Sequence, residues 1–351
     1  MARRSRLFSL SALTRAYQRN LKALVRATRP ARPARRKALA PPLAVAPLAA
    51  AAPARRPARR PGGPARGEWV AGVAPGPAGA RRYHLYIPPG LGLKAGEKLP
   101  LLVMLHGCGQ TGRDLAAASR MNRLAARERF LVLYPEQERV ANAHGCWNWF
   151  EGRNGKAEAE AATLLAAVDK VARRHPVDLS RVAVAGLSAG GSMAVLMAAL
   201  YPQRFCAVAM HSGVPPGAAE SAATAIAAMH GRRAGRLPEP PAGALPPLLV
   251  VHGDADGVVS VRNALATAQL WAGALGARPG AQRTLQRGQR HAMRVTEFKA
   301  RGRTVVALRE VAGLAHAWSG GAANLPYSDP AGPDASALIW AFAARQFARK
   351  I

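Results

Sequence analysis

Val182-Ala-Val-Ala-Gly-Leu-Ser-Ala-Gly-Gly-Ser-Met-Ala194 decides how the rest of the chain is read. Residues 182–185 are small and β-branched, the composition of a strand buried in a parallel sheet. From 189 to about 200 the residues are apolar and Ala-rich, which predicts a helix. Between them Gly186-Leu187-Ser188-Ala189-Gly190 fits G-x-S-x-G. The glycines permit a reversal from strand to helix within a few residues, holding Ser188 in a strained conformation with its hydroxyl outward. A bare G-x-S-x-G arises by chance, and the flanking strand and helix are what make this one specific. Ser188 is the candidate nucleophile. The Ala189 N–H, at the positive end of the helix, is a candidate donor to any oxygen that gains charge there.

Working outward, strands and helices alternate over about 280 residues. Apolar runs at 99–105, 130–134, 205–210 and 247–251 predict buried strands, and 83–89, closed by two prolines, predicts an edge strand. Helices are expected over 114–129, 157–175, 263–275 and 335–347, and two further strands around the turn at Arg301-Gly302. The pattern implies one mostly parallel, doubly wound α/β sheet in a single domain, residues 68–351. Residues 214–246, rich in Ala, Gly and Pro, read as an insertion over the site.

Residues 1–67 are different in kind. They hold 17 Lys or Arg and no acidic residue, leaving 33 basic against 19 acidic in the rest, a net of +14 out of +31. Residues 7–25 could form a basic amphipathic helix, and 29–66 is a Pro/Ala/Arg-rich stretch that cannot pack a core. The arm is expected to be disordered. It is either a plain leader or linker, or an anchor to a polyanion, an anionic surface or a polymer granule. It makes a poor signal peptide, because Arg15, Arg19 and Lys22 interrupt any apolar core.

A serine hydroxyl needs a histidine to take its proton and a carboxylate to orient that histidine. In α/β-hydrolases these follow in the order Ser, acid, His. At the end of the 247–251 strand stand Asp254 and Asp256. Asp256 is favoured because Gly253 and Asp254 can turn the chain out of the strand, with Asp254 capping the loop. Among histidines, His291 sits among Arg287, Arg290 and Arg294, whereas His316 lies in a Gly-rich loop after a strand and is the candidate base. His211, His252, His230 and His175 have no comparable claim. The second oxyanion donor is expected from His106-Gly107-Cys108-Gly109, with Cys108 N–H the leading candidate.

Trp147, Trp149 and Trp318, all in loops, are expected to wall an apolar substrate pocket. Cys206 reads as a buried thiol, and the loop positions of Cys108 and Cys146 are compatible with a disulfide between them. Nothing resembles a nucleotide fingerprint or a metal cluster, so no cofactor, metal or specific nucleic acid is expected.

Several motifs occur together in order: Leu105-His-Gly-Cys-Gly-Gln-Thr111, Tyr134-Pro-Glu-Gln137, Gly145-Cys-Trp-Asn-Trp-Phe150, His211-Ser-Gly213, His252-Gly-Asp-Ala-Asp256, His316-Ala-Trp-Ser-Gly-Gly321 and Asp329-Pro-Ala-Gly-Pro-Asp-Ala-Ser336. With the serine turn they resemble the poly(3-hydroxybutyrate) depolymerase family of esterases, over residues 83–347. The resemblance implies an α/β-hydrolase fold, Ser188, Asp256 and His316 in the triad positions, and Cys108 in the oxyanion loop. It implies a hydroxyalkanoate polyester or oligomer as substrate, or feruloyl or acetyl xylan esters as the alternative. It also implies an extracellular or periplasmic setting, with a granule-associated cytoplasmic one as the alternative. A reading of another class is a polyanion- or particle-binding protein that uses the hydrolase fold as a scaffold.

Overall fold

The computed structural model describes residues 67–238 and 245–348. The basic arm up to Arg66, including the amphipathic stretch at 7–25, lies outside them. Six strands form the parallel centre: β3 (Leu99–Leu105), β4 (Leu131–Pro135), β5 (Val177–Leu187), β6 (Ala207–His211), β7 (Leu248–Gly253) and β11 (Arg303–Val311). Their order is β4-β3-β5-β6-β7-β11, with the serine-bearing β5 near the middle. Antiparallel strands extend both sides: β1 (Glu68–Ala74) and β2 (Arg81–Ile87) beyond β4, and β10 (Met293–Ala300) beyond β11. The short β8 (Arg278–Pro279) and β9 (Arg283–Leu285) both pair with β10.

Every residue of β3, β4, β6 and β7 is buried, as continuous apolar runs in a doubly covered parallel sheet require. The two faces divide by strand alternation. Leu101, Val103 and Leu105 join one core with α3 (Lys156–Ala172), α4 (Ala189–Leu200) and α6 (Arg262–Ala274). Leu102 and Met104 join the opposite core with α1 (Gly112–Ser119), α2 (Met121–Glu128) and α7 (Ala335–Phe347). A third, smaller cluster sits over the site: Phe150, Val214, Ala225, Ala228 and Val259, with α5 (Ala222–Met229).

Two expectations are corrected. The strand expected at the edge, β2, is flanked by β1 and β4; Glu68–Ala74 pairs along its full length and takes the edge. Its Pro88-Pro89 pair ends the strand without exposing it. The single helix expected over 114–129 is two. Arg120 adopts φ 56°, ends α1 through its N–H to Ala116 O, and its guanidinium donates to Gly320 O. Thr111 and Asp114 form a capping box at the start of α1.

Candidate active site

Ser188 stands between β5 and α4 at φ 57°, ψ −122°, a conformation that a residue with a Cβ holds only when its surroundings impose it. The surroundings are glycine contacts. A Cβ on Gly190 would overlap the Leu105 and His106 carbonyls, and one on Gly186 would overlap the Gly190 backbone. The chain therefore crosses itself closely enough to present Ser188, whose N–H donates to His211 O at 2.8 Å.

Asp256 lies where β7 leaves the sheet and is buried. Its Oδ2 accepts from His316 Nδ1 at 2.7 Å, and its Oδ1 from the Val258 and Val259 N–H groups at 2.9 Å each. His252 Nε2, which donates to Val259 O at 2.9 Å, also lies 3.4 Å from Asp256 Oδ2. Burial alone would raise this carboxyl. The hydrogen bonds from His252 and His316 outweigh it and hold Asp256 well below the ordinary carboxylate range. Asp254 is exposed and accepts the Gly313 N–H at 2.8 Å, capping the loop. His291 is bonded to Asp329 at 3.2 Å.

Ser188, Ala189, Cys108 and His316 border one cavity of about 580 Å³. With Nδ1 bonded to Asp256, Nε2 is the His316 ring nitrogen left to exchange a proton. In the 107–110 turn, Gly107 N–H donates to Gln110 Oε1, Gly109 N–H to His144 O and Gln110 N–H to Gly107 O. The fourth N–H, that of Cys108, is the one in this turn with no hydrogen-bond partner among the described residues. Ala189 supplies one of the first-turn N–H groups that no helix bonds internally.

The three tryptophans part ways. Trp149 lines the cavity, edge-on to Phe150 at 5.4 Å. Trp147 and Trp318 do not wall it: both are fully buried. The Trp147 indole donates to His106 O at 2.9 Å and supports the 107–110 turn from beneath. Trp318 stacks on His211 and donates to Ser336 Oγ at 3.2 Å. Loop position alone could not separate the ring that faces substrate from the rings that hold loops in place. Further apolar lining comes from Val214, Ile226 and Met229 and, in the Asp256 loop, Val258.

Sequence reasoning passed over the groups behind the site. His211 Nε2 accepts the Ser319 N–H at 3.1 Å, which pins the loop carrying His316; burial pushes this imidazole down to about 3, so it stays neutral. His106 Nε2 likewise accepts the Gln137 N–H at 3.1 Å, and burial lowers it to about 4. Fully buried Glu160 on α3 ties Arg81 (2.8 Å), Gln137 (2.7 Å) and the Asn148 N–H (2.6 Å) together, fastening the 135–156 loop to the sheet. Cys146 of that loop is disulfide-bonded to Cys108, with Cα atoms 4.2 Å apart. Cys206 is buried, its thiol donating to Ser180 O at 2.6 Å. For His106, Gln137, Asn148 and His211 the signal was a place inside the quoted motifs, without any indication of whom they would meet; Arg81 and Glu160 lie outside those motifs.

The family described as Esterase PHB depolymerase matches residues 81–284, more than half of the chain. Poly(3-hydroxyalkanoate) depolymerase C of Paucimonas lemoignei is 39% identical over 145 residues, 41% of this chain and 34% of that protein. The match thus spans about a third of that relative's length. Feruloyl esterase B of Neurospora crassa is 30% identical over 210 residues, 56% of this chain and 70% of that protein. The solved acetyl xylan esterase from Aspergillus awamori superposes with a TM-score of 0.60 at 21% identity, covering 72% of this chain and 94% of that one. That likeness shows the α/β-hydrolase fold. The chain belongs to the Esterase PHB depolymerase family.

Proposed function

We propose that the chain is a serine esterase, a carboxylic ester hydrolase working through Ser188, His316 and Asp256. The observation that carries this reading is the 2.7 Å Asp256–His316 bond, made by a histidine that lines one cavity with a serine on a strained strand-to-helix turn. Ser188 Oγ attacks the ester carbonyl as His316 Nε2 takes its proton. The Cys108 and Ala189 N–H groups receive the oxyanion. Collapse expels the alcohol, protonated by His316, and leaves an acyl-serine. Water, deprotonated by the same imidazole, then releases the acid. Asp256 fixes the tautomer and steadies the imidazolium.

The substrate we infer is an oligo- or poly(3-hydroxyalkanoate), which the mostly apolar cavity and Trp149 suit. The depolymerase relative favours this ester; the feruloyl esterase relative, matched over more of its length, favours aryl or sugar esters as the second reading. Residues 68–351 would form the catalytic domain, with 214–246 as its cover and 1–67 as a separate arm to an anionic surface or granule. The Cys108–Cys146 disulfide favours an oxidising, extracellular or periplasmic setting.

The test is turnover of 3-hydroxybutyrate oligomers and of methyl ferulate, side by side. Ser188→Ala should abolish both, and Asp256→Asn should lower kcat by about 10⁴-fold. Asp254→Asn, which touches only a loop cap, should change kcat by less than about tenfold. Equal losses for the two aspartates, or activity surviving in folded Ser188→Ala, would sink the assignment.

A further inference from the structure

A second cavity, of about 470 Å³, opens between the α1–α2 junction, the β9–β10 turn and the start of α7. Its lining includes four arginines, Arg120, Arg123, Arg127 and Arg290, against one carboxylate, Asp334. Asp334 is already engaged, since its Oδ1 accepts the Ala337 N–H at 3.0 Å. Arg127 pairs with Glu128 at 2.8 Å. Among the described residues no carboxylate lies within 4.0 Å of the Arg120, Arg123 or Arg290 guanidinium. Arg82, Arg129, Arg181 and Arg204, by contrast, each face an acidic side chain.

Two of these cations are held in place. Arg120 donates to Gly320 O, and Arg290 Nη1 to Gly332 O at 2.5 Å. A guanidinium has five N–H groups in a fixed fork, so one such bond orients it and leaves others to offer. Arg120 also keeps its left-handed φ of 56°, an unfavourable state for a non-glycine residue. Like charges gathered in a concavity repel one another unless an anion joins them. Oriented guanidinium forks match the oxygen geometry of phosphate.

We propose that this cavity is a binding site for a polyvalent phosphate anion, separate from the ester site. Its ligand would sit against the backbone that follows the His316 loop, because Gly320 and Gly332 are the carbonyl anchors of Arg120 and Arg290. The site does not depend on the esterase reading, and neither does its test.

Hydrogen exchange of the full chain, read by peptide, should be measured with inorganic pyrophosphate and with sodium chloride at equal ionic strength. Pyrophosphate at about ten times its dissociation constant should slow exchange by about tenfold where its binding stabilises the closed state. The protected peptides should cover 118–127, 288–292 and 332–338. The Arg123→Ser, Arg127→Ser double variant alters two exposed side chains and should fold, yet lose that protection. Equal protection by ADP would place recognition in the phosphates. Protection confined to residues 1–66, protection matched by sodium chloride, protection by ADP and none by pyrophosphate, or full protection in the double variant would each overturn the proposal.

Discussion

The serine turn and the 135–156 loop meet at the same cavity, yet they are built by opposite means. The turn is local: Gly186, Ser188 and Gly190 shape it within five residues, and its other contacts are backbone of the adjoining strands. The loop has almost no regular structure. Its position comes from remote partners: Glu160 on α3, Arg81 on β2, His106 at the end of β3, and Cys108 through the disulfide. One half of the site rests on steric necessity, the other on buried polar bonds. Damage to the first should therefore be all-or-none, and damage to the second graded.

The largest effect is expected at Gly190. Its Cβ position is occupied by backbone on the neighbouring strand, so Gly190→Ala should cost more than about 3 kcal/mol and yield little folded protein. Gly273→Ala is the control, in α6 with open space around its Cβ position; it should raise stability by about 0.5–1 kcal/mol in urea unfolding. If the two glycines respond alike, the turn is not sterically determined.

Next comes Glu160. Removing it leaves the nearly inaccessible Arg81 guanidinium without its counter-charge, so Glu160→Ala should destabilise by about 3–5 kcal/mol. The loss should appear first as faster hydrogen exchange in 135–156, with the serine helix still protected. Uniform loss of protection would show that the loop is not a separately held unit.

The most discriminating effect separates two neighbours in the loop. Trp147→Ala should cost about 3–5 kcal/mol of stability, because it empties a core site and strips His106 O of its donor. Trp149→Ala should leave stability near the parent's but raise KM about tenfold, the loss of an apolar cavity wall. A KM effect from Trp147 with no change in stability would reverse the roles assigned here.

Much of this was open to a reader of the chain alone. Continuous apolar runs of five to seven residues read as strands covered on both faces, and G-x-S-x-G between a strand and a helix reads as a sharp turn. The order of serine, acid and histidine leaves Asp254 or Asp256 and His291 or His316, and local context favours Asp256 and His316, with Asp254 capping the loop. These are inferences from period, composition and order, which are properties of neighbouring residues. Whether β2 or β1 formed the sheet edge depended on a pairing that neither strand's residues announce. The break at Arg120, the Cys108–Cys146 bond, the Glu160 hub, the burial of Trp147 and Trp318, and the gathering of four arginines around one hollow belong to the same class. They join residues far apart in sequence, and side-chain chemistry names a group's capacity to bond without naming the partner that packing will bring to it.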